Sequence, residues 1–387
     1  MLHHKYEHVR THDRAGFPVD AVRWDGPRGN AADGRGHTGT GKQTMKSKSG
    51  YPLALLALVA APCVKAADSN PEASGFSGQL SLGPILVSAK TNMVSSAGLG
   101  LLKLGEGVPE SLNGQPMVHT GLLPAVTLSL RYTFPETGTQ LFAGGTSGDP
   151  LQFEYFLQGG VRQTVGSAGA LSLAYLYGFS VKVWADPYVT GVSRSETNRG
   201  SQGARLGWER IFGSGLQAQY TFRHATVDRE DSGSLLGLTP EDARLLRRAG
   251  DIHQGEIRYA FTFARAHQLT PALVFTREDL QGEAMSAQGY EFKLRYALRA
   301  GVIGAVVEGA IGRSLHDERN PVFGRTEADT RYTASATLLY RTPFGWEPFG
   351  YKRWSLLAHV GYTAAQSNIA FYSASVFDTG LGLSMEF

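Results

Sequence analysis

The amino-acid sequence predicts an all-β protein, an antiparallel transmembrane up-and-down β-barrel of about 14 strands. Three observations lead to this prediction: a C-terminal segment of period two, further segments of that period, and alternating short and long connections. Twelve strands are the alternative, if segments 139–146 and 151–163 do not both span a membrane. A soluble sandwich also alternates, but its strands average about 5–6 residues, whereas a tilted spanning strand needs about 9–11.

The last eleven residues, 377–387, alternate between apolar residues and small or polar ones. This spacing predicts a strand, and such a strand at the chain end would leave an open edge in a soluble protein. In a barrel it is the closing strand, with its terminal aromatic residue at the membrane interface. It resembles the C-terminal sorting signal of Gram-negative outer-membrane barrels, which the barrel-assembly machinery would bind. The residues of this expected signal are Phe377, Leu381, Leu383, Met385 and Phe387.

The N-terminal region has a different composition. It is rich in Gly, Arg, Asp and His and shows no hydrophobic period up to residue 44, which predicts disorder. Met45 then begins a positively charged segment, an apolar segment at 52–62 and a small-x-small cleavage site at 64–66. Eleven apolar-rich residues are too few for a spanning helix. We expect an upstream extension outside the true start at 1–44, a signal peptide at 45–66 and an outer-membrane barrel at 67–387.

The only cysteine, Cys63, lies inside the expected signal peptide, so the mature chain would have neither a disulfide nor a thiol nucleophile. Lipidation at Cys63 is the alternative, but Pro62 stands where such sites need a small residue. The formal net charge is +3 for the whole chain and −2 without residues 1–66. A nucleic-acid partner therefore loses its main support. We expect outer-membrane lipid and lipopolysaccharide to surround the barrel instead.

Rows of apolar residues at alternate positions, which we call the apolar rows, predict where the spanning strands lie. In 216–224, for example, Leu216, Tyr220 and Phe222 alternate with Gln219 and Arg223. The predicted strands are 76–90, 121–134, 139–146, 151–163, 169–183, 201–212, 215–227, 252–265, 267–277, 287–298, 300–313, 330–341, 352–365 and 377–387. The predicted long connections are 91–120, 184–200, 228–251, 314–329 and 366–376. Such alternation, with both termini beside the short turns, is typical of outer-membrane barrels. A longer aromatic turn at 341–352 is an exception.

The face opposite the apolar rows is expected to line the lumen. Its predicted cations are Arg131, Arg162, Lys182, Arg205, Arg223, Arg258, Lys293, Arg295 and Arg331. Its predicted anions are Glu154, Glu209, Glu256, Glu291 and Glu308. These charges could simply pair across neighbouring strands and fill the interior. Alternatively they line a polar pathway, where an excess of positive charge favours anions modestly.

Few residues suggest chemistry. Asp251 and His253 share a face near a long connection, and 316–318 reads His-Asp-Glu, as a hydrolase site could. The acidic run 228–231 could bind calcium, but it lacks the spaced pattern of such loops. Solvated loop charges explain all three more simply, so we predict no catalytic residue, no metal and no cofactor. Thr239 is a plausible N-cap for a short helix at 241–248.

Five motifs occur in order: 75–78, 128–134 running into 140–142, 184–188, 320–323 and 367–372. They read Gly-Phe-Ser-Gly, Leu-Ser-Leu-Arg-Tyr-Thr-Phe with Gln-Leu-Phe, Trp-Ala-Asp-Pro-Tyr, Asn-Pro-Val-Phe and Ser-Asn-Ile-Ala-Phe-Tyr. Together they resemble a proteobacterial family of unknown function, numbered 2860, over nearly the whole mature chain. The resemblance implies an outer-membrane barrel-like protein and supplies no activity.

These observations predict a porin-like channel for small polar solutes, with a modest anion preference, rather than an enzyme. A surface or structural barrel whose loops bind a partner is the alternative, and an outer-membrane hydrolase is the third possibility. The solute, the oligomeric state and whether a loop plugs the lumen are not fixed by the sequence.

Overall fold

This computed structural model describes residues 75–105, 111–347 and 353–387. In each of these segments, sequence that alternates between apolar and small or polar residues forms β-strands. The strands are β1 (Gly75–Lys90), β2 (Val94–Ala97), β3 (Leu102–Lys103), β4 (Val118–Phe134), β5 (Thr139–Ser147), β6 (Tyr155–Thr164), β7 (Ala170–Gly178), β8 (Val181–Trp184), β9 (Glu196–Glu209), β10 (Leu216–Val227), β11 (Gly250–Tyr259), β12 (Phe261–Phe263), β13 (His267–Leu280), β14 (Ala287–Ala300), β15 (Ile303–Asn320), β16 (Arg325–Arg341), β17 (Trp354–Ser367) and β18 (Ala374–Glu386). The expected upstream extension and signal peptide lie outside the described residues.

The strands form a closed antiparallel barrel. Each wall strand pairs with the next along the chain, β11 and β12 together form one wall strand beside β13, and β1 pairs with both β4 and β18. Leaving out β2, β3 and β8, which lie within connections, the wall has fourteen strands. The predicted fold class and the larger of the two predicted strand numbers are therefore confirmed.

The connections at the two ends of the barrel differ. Short turns such as 135–138 and 301–302 lie at the end where the described chain begins and ends, which we call the turn end. The connections at the other end, the loop end, are L1 (91–117), L2 (148–154), L3 (179–195), L4 (228–249), L5 (281–286), L6 (321–324) and L7 (368–373). Residues 106–110 of L1 and 348–352 of the predicted aromatic turn lie outside the described residues.

The outer face of the wall is apolar. Alternate residues on neighbouring strands point outward together, so Leu206 pairs with both Leu173 and Tyr220, and all three are exposed. Leu381 on the closing strand is 68% exposed. An apolar surface continuing around the wall fits lipid rather than water, as in a transmembrane barrel. None of the helices in the described part of the chain is long and apolar enough to cross a membrane.

The closing strand depends on its last residue. Phe387 N donates to Gly78 O at 3.0 Å, and Gly78 N donates to Phe387 O at 2.8 Å. The Phe387 ring also stacks on Phe76, with ring centroids 5.8 Å apart. The strands approach closely here, because a Cβ on Gly83 would lie 2.1 Å from Leu381 O. Ring stacking and backbone hydrogen bonds therefore join the two ends of the barrel sheet.

The wall varies in height around the barrel. β5, β6 and β7 have 9, 10 and 9 residues, whereas β15 and β16 have 18 and 17. The predicted long connection 314–329 is therefore wrong, since most of it continues β15 and β16 to a four-residue tip. Polar residues occupy both faces of this extension, so no apolar row marks it in the sequence.

The predicted helix in L4 is confirmed in shorter form, α1 (Pro240–Arg244), with Thr239 accepting from Asp242 N at 3.1 Å.

Candidate functional site in the barrel lumen

The inward face of the turn half, meaning the lumen nearest the short turns, carries paired charges. Arg162 Nε lies 3.0 Å from Glu209 Oε2, across the β6–β7–β9 sheet. Lys293 Nζ lies 3.2 Å from Glu291 Oε1 and 4.0 Å from Glu256 Oε2. Glu291 and Lys293 both face the lumen because side chains two residues apart on a strand share a face.

These ion pairs of the turn half stay in contact with solvent. Their side chains retain between 14% and 32% of their exposure, including Arg258, which lies 3.0 Å from Glu256. Charged groups at this exposure are still hydrated, and an exposed pair contributes only about 0–1 kcal/mol to stability. The turn half is therefore a wet, charged cavity rather than a packed core.

The loop half of the lumen contains an inserted loop. L2 forms a turn of 3₁₀ helix at Pro150–Gln152, with Asp149 as its N-cap. Leu151 packs against inward residues of β1 such as Ile85 and Val87. On the far wall, Arg331 Nη2 lies 2.6 Å from Asp149 Oδ1. L2 therefore crosses the lumen and is held at both sides.

Glu154, the last residue of L2, is the most enclosed carboxylate of this half, with 5% of its side chain exposed. Arg199 Nη1 donates to its Oε1 at 2.6 Å, and Arg223 donates to its Oε2. Burial alone would raise the pKa of Glu154, but the charges and hydrogen bonds of the two arginines hold that pKa at about 2. Glu154 is therefore an ionised, fully paired group.

The two halves differ in the charged groups at their inward positions. Inward positions of the turn half hold seven cations and four carboxylates, with one charge of each sign added at the rim by Arg341 and Glu386. These groups are Arg131, Arg162, Arg205, Arg258, Lys293, Arg295, Arg299, Glu209, Glu256, Glu291 and Glu308. In the loop half, Asp378 pairs with His359 at 2.9 Å, and a separate network joins five carboxylates and three guanidinium groups. These are Asp149, Glu154, Glu278, Glu327, Asp329, Arg199, Arg223 and Arg331.

L1 also enters the barrel. Its hairpin of β2 and β3 contributes Val94, Leu102 and Leu104 to an apolar cluster against the inner side of β1 and β4. The fit is close, because a Cβ on Gly121 would lie 2.6 Å from Leu102 Cδ1. Together with L2, this hairpin narrows the loop half.

A second apolar cluster, which we call the lid, covers the loop end. It is built from six of the seven loops: Met93 and Leu112 of L1, Tyr188 of L3, Leu238 and Leu246 of L4, Met285 of L5, Val322 and Phe323 of L6, and Ile369, Phe371 and Tyr372 of L7. Since these loops leave the wall on different sides, their side chains meet over the mouth of the barrel. The lid therefore joins six of the loops across the loop end.

Hydrogen bonds inside the lid fix its aromatic rings. The Tyr188 and Tyr372 hydroxyls lie 2.6 Å apart, and Asn320 Nδ2 donates to the Tyr372 hydroxyl at 2.6 Å. Phe371 lies between Tyr188 and Phe323, at centroid distances of 5.5 Å and 5.3 Å. Burial raises the pKa of both tyrosines above the ordinary value, so they act as neutral hydrogen-bonding groups.

The structure places twelve of the fourteen predicted lumen residues on inward wall positions, and it places Glu154 in L2. The twelve are Arg131, Arg162, Arg205, Glu209, Arg223, Glu256, Arg258, Glu291, Lys293, Arg295, Glu308 and Arg331. Lys182 differs, because it lies on β8 within L3, where it pairs with Asn198. The predicted strand 169–183 is interrupted there, between β7 and β8.

The other predicted groups lie apart from the lumen or pair locally. Asp251 lies 2.6 Å from His224, and His253 lies 2.7 Å from the Tyr220 hydroxyl, all on the outward face. Within the acidic run 228–231, Glu230 binds Arg248 at 2.8 Å and Arg229 binds Asp231 at 3.0 Å.

Sequence reasoning missed the L2 carboxylate Asp149 and the wall residues Arg199, Glu278, Glu327 and Asp329. Glu327 and Asp329 could have been predicted from the alternation of strand residues alone, since both lie an even number of residues from the inward Arg331. For the lid, the available signal was the set of motifs at 184–188, 320–323 and 367–372, whose aromatic residues meet there.

The model of a family described as a protein of unknown function, DUF2860, matches residues 75–385. No curated protein matches the chain. An anion-selective porin from Comamonas acidovorans is 9% identical with a TM-score of 0.35, over 81% of this chain and 98% of that one. The outer-membrane channel DcaP of Acinetobacter baumannii is 10% identical with a TM-score of 0.39, over 81% and 98%. The CymD monoaromatic hydrocarbon channel is 11% identical with a TM-score of 0.39, over 82% and 91%. Structural similarity at sequence identities and TM-scores this low is no evidence about function.

Proposed function

The chain belongs to DUF2860, a family of proteins of unknown function, and from that premise we propose that it is an outer-membrane channel for small polar solutes. The observation that supports this function is the wet, charged turn half, where paired side chains keep 14% to 32% of their exposure. A barrel built only for support would fill this space with packed side chains. In such pores, inward charges set which ions pass.

We infer that the lid closes the channel at the loop end, so that opening requires the lid to separate. The lid is held by apolar packing and by the hydrogen bonds of Tyr188, Tyr372 and Asn320. Loops that meet only through side chains open at lower free energy than the wall, whose backbone hydrogen bonds are continuous. A solute would therefore pass through the lid first, then past L2, and then through the turn half.

Conductance of the refolded protein in planar bilayers tests this proposal. We expect low conductance from the natural protein and a several-fold higher open probability when the lid is loosened by Phe371→Ser with Tyr188→Ser. Phe344→Ser is the matched control, because Phe344 is 88% exposed at the turn end and lies outside the lid. If neither the natural protein nor the lid variant passes ions, the channel proposal is wrong and a surface-binding barrel replaces it.

The outer-membrane location can be tested at the closing strand. We propose that the row Phe377, Leu381, Leu383, Met385 and Phe387 directs assembly, supported by the contacts of Phe387 with β1. Phe387→Asp should reduce the heat-modifiable folded barrel in the outer membrane and increase periplasmic degradation. An unchanged amount of folded barrel in that variant would contradict this role.

A further inference from the structure

Three side chains able to bind a metal ion meet in the loop half, at the extension of β15 and β16. His316 Nε2 lies 3.6 Å from Glu327 Oε1 and 4.0 Å from Asp329 Oδ2. The three ligand atoms all lie within 4.8 Å of one another. Glu327 and Asp329 share a face of β16 because they are two residues apart. His316 reaches them from β15, beside the irregular register between Leu315 and Arg319.

The imidazole is oriented as a metal ligand would be. His316 Nδ1 lies 3.1 Å from the carbonyl oxygen of Ala284 in L5, and a carbonyl can only accept. Nδ1 therefore carries a proton, which in the neutral ring leaves the lone pair of Nε2 facing Glu327 and Asp329. Metal-bound histidines are held in this way, by a hydrogen bond from the nitrogen that does not bind the metal. At 3.6 Å and 4.0 Å, neither carboxylate is within hydrogen-bonding distance of Nε2.

Glu327 and Asp329 each have a carboxylate oxygen that accepts no hydrogen bond from the described residues. The Glu327 side chain is 5% exposed, and its Oε2 is buried with no hydrogen-bond partner among the described residues. Asp329 Oδ1 is also buried and has no hydrogen-bond partner in the described structure. Burying charged oxygens without partners is costly.

We propose that His316, Glu327 and Asp329 bind one divalent transition-metal cation, of which Zn²⁺ is the reference. Ligand atoms about 2.1 Å from one zinc ion lie about 3.4 Å apart at the tetrahedral angle. The observed separations of 3.6 Å and 4.0 Å need only small side-chain movements to reach this geometry. An imidazole ligand favours zinc over calcium or magnesium.

The ion would tie the tall β15–β16 hairpin to L5, because His316 is itself held by Ala284. L5 contributes Met285 to the lid. Metal binding would therefore stabilise the lid from below. The inference does not depend on the channel proposal.

The test uses the full mature barrel, without a histidine tag, refolded in detergent and stripped with a chelator. Titration calorimetry should give one Zn²⁺ per barrel, and Co²⁺ should give the visible absorption bands of a tetrahedral site with a nitrogen ligand. Glu327→Gln with Asp329→Asn should weaken Zn²⁺ binding at least about tenfold, since loss of a ligand-supporting contact alone costs about 10–100-fold. His316→Gln should remove the nitrogen signature from the Co²⁺ spectrum.

Two controls separate this site from adventitious binding. Asp317→Asn changes the residue next to His316, but its carboxylate binds Arg277 at 2.6 Å, so Zn²⁺ binding should be unchanged. His224→Gln with Asp251→Asn removes the exposed His–Asp pair and should also leave binding unchanged. Undiminished binding by the Glu327 and Asp329 double variant would overturn the proposal, as would tighter binding of Ca²⁺ or Mg²⁺. A natural protein that binds none of these ions would also overturn it, leaving a proton shared by the carboxylates.

Discussion

The ion pairs of the turn half keep 14% to 32% of their side-chain exposure, whereas Glu154 and its two arginines in the loop half keep 5% to 13%. Both regions lie in one barrel and are lined by the same alternating strands. The difference comes from L1 and L2, which fold inward only at the loop end. Hydrated charges do not need an equal number of opposite charges beside them, and in the turn half the cations outnumber the carboxylates. Enclosed charges must be matched by opposite charges or bound ions.

This contrast assigns different roles to the two halves. The loop half combines the inserted L2, the buried ion network and the lid, so its disruption should change stability and opening. The turn half has an open surface of positive charge, so its substitution should change ion preference with little effect on folding. The following predictions compare matched residues from the two halves.

The largest effect is expected for Glu154→Gln. It leaves Arg199 and Arg223 without their carboxylate in a nearly dry site, and breaking such a buried pair costs about 3–5 kcal/mol. Glu256→Gln is the matched change in the turn half, where its partners Arg258 and Lys293 are hydrated and the cost should be about 1 kcal/mol or less. Urea unfolding of the refolded barrels measures both. Equal costs would mean that the loop half is as wet as the turn half.

Acid should remove the contribution of Glu154. Its folded pKa of about 2 lies below the ordinary value of 4.5, so its stabilising effect is fully present above pH 4.5 and is lost as pH falls toward 2. A shift of this size corresponds to about 3 kcal/mol. The stability difference between the natural protein and Glu154→Gln should therefore shrink between pH 5 and pH 2. A constant difference across this range would show that Glu154 is not ionised in the folded barrel.

A smaller effect is expected where L2 meets the far wall. Asp149→Asn weakens the contact of 2.6 Å with Arg331, and because these two side chains keep 22% to 30% of their exposure the cost should be about 1 kcal/mol or less. Because this contact holds L2 across the lumen, the same change should raise conductance in planar bilayers once the lid is open. Asp228→Asn, in the exposed L4, is the control and should change neither quantity. Lost stability without raised conductance would mean that L2 does not obstruct the pathway.

The sequence predicted the wall well and the loop half poorly, for a physical reason. In the wall, lipid on one side and water on the other impose period two, so rows such as Leu216, Tyr220 and Phe222 reveal strand and face together. Beyond the membrane both faces are polar, and the extension that carries His316 and Glu327 was therefore predicted as a loop.

Long-range pairing is the second reason. Asp149 and Arg331 are separated by 182 residues, and no local pattern shows that L2 turns inward to join them. The lid poses the same problem, since its residues come from six loops. The outward and inward faces of the wall were predictable because each strand carries its own pattern. Contacts between loops have no such pattern.

The smallest expected effect concerns ion preference in the turn half. Lys293→Glu with Arg295→Glu changes the charge of this half by four units, from an excess of cations to an excess of carboxylates. Reversal potentials across a salt gradient should then move from anion toward cation preference. The shift should fade at high salt, since the Debye length falls from about 10 Å at 0.1 M to about 3 Å at 1 M. Arg265→Glu, in the exposed turn at 264–266, is the control for charge at the barrel rim. If the double variant keeps its anion preference while Asp149→Asn alters it, the narrow loop half rather than the wet turn half selects the ions.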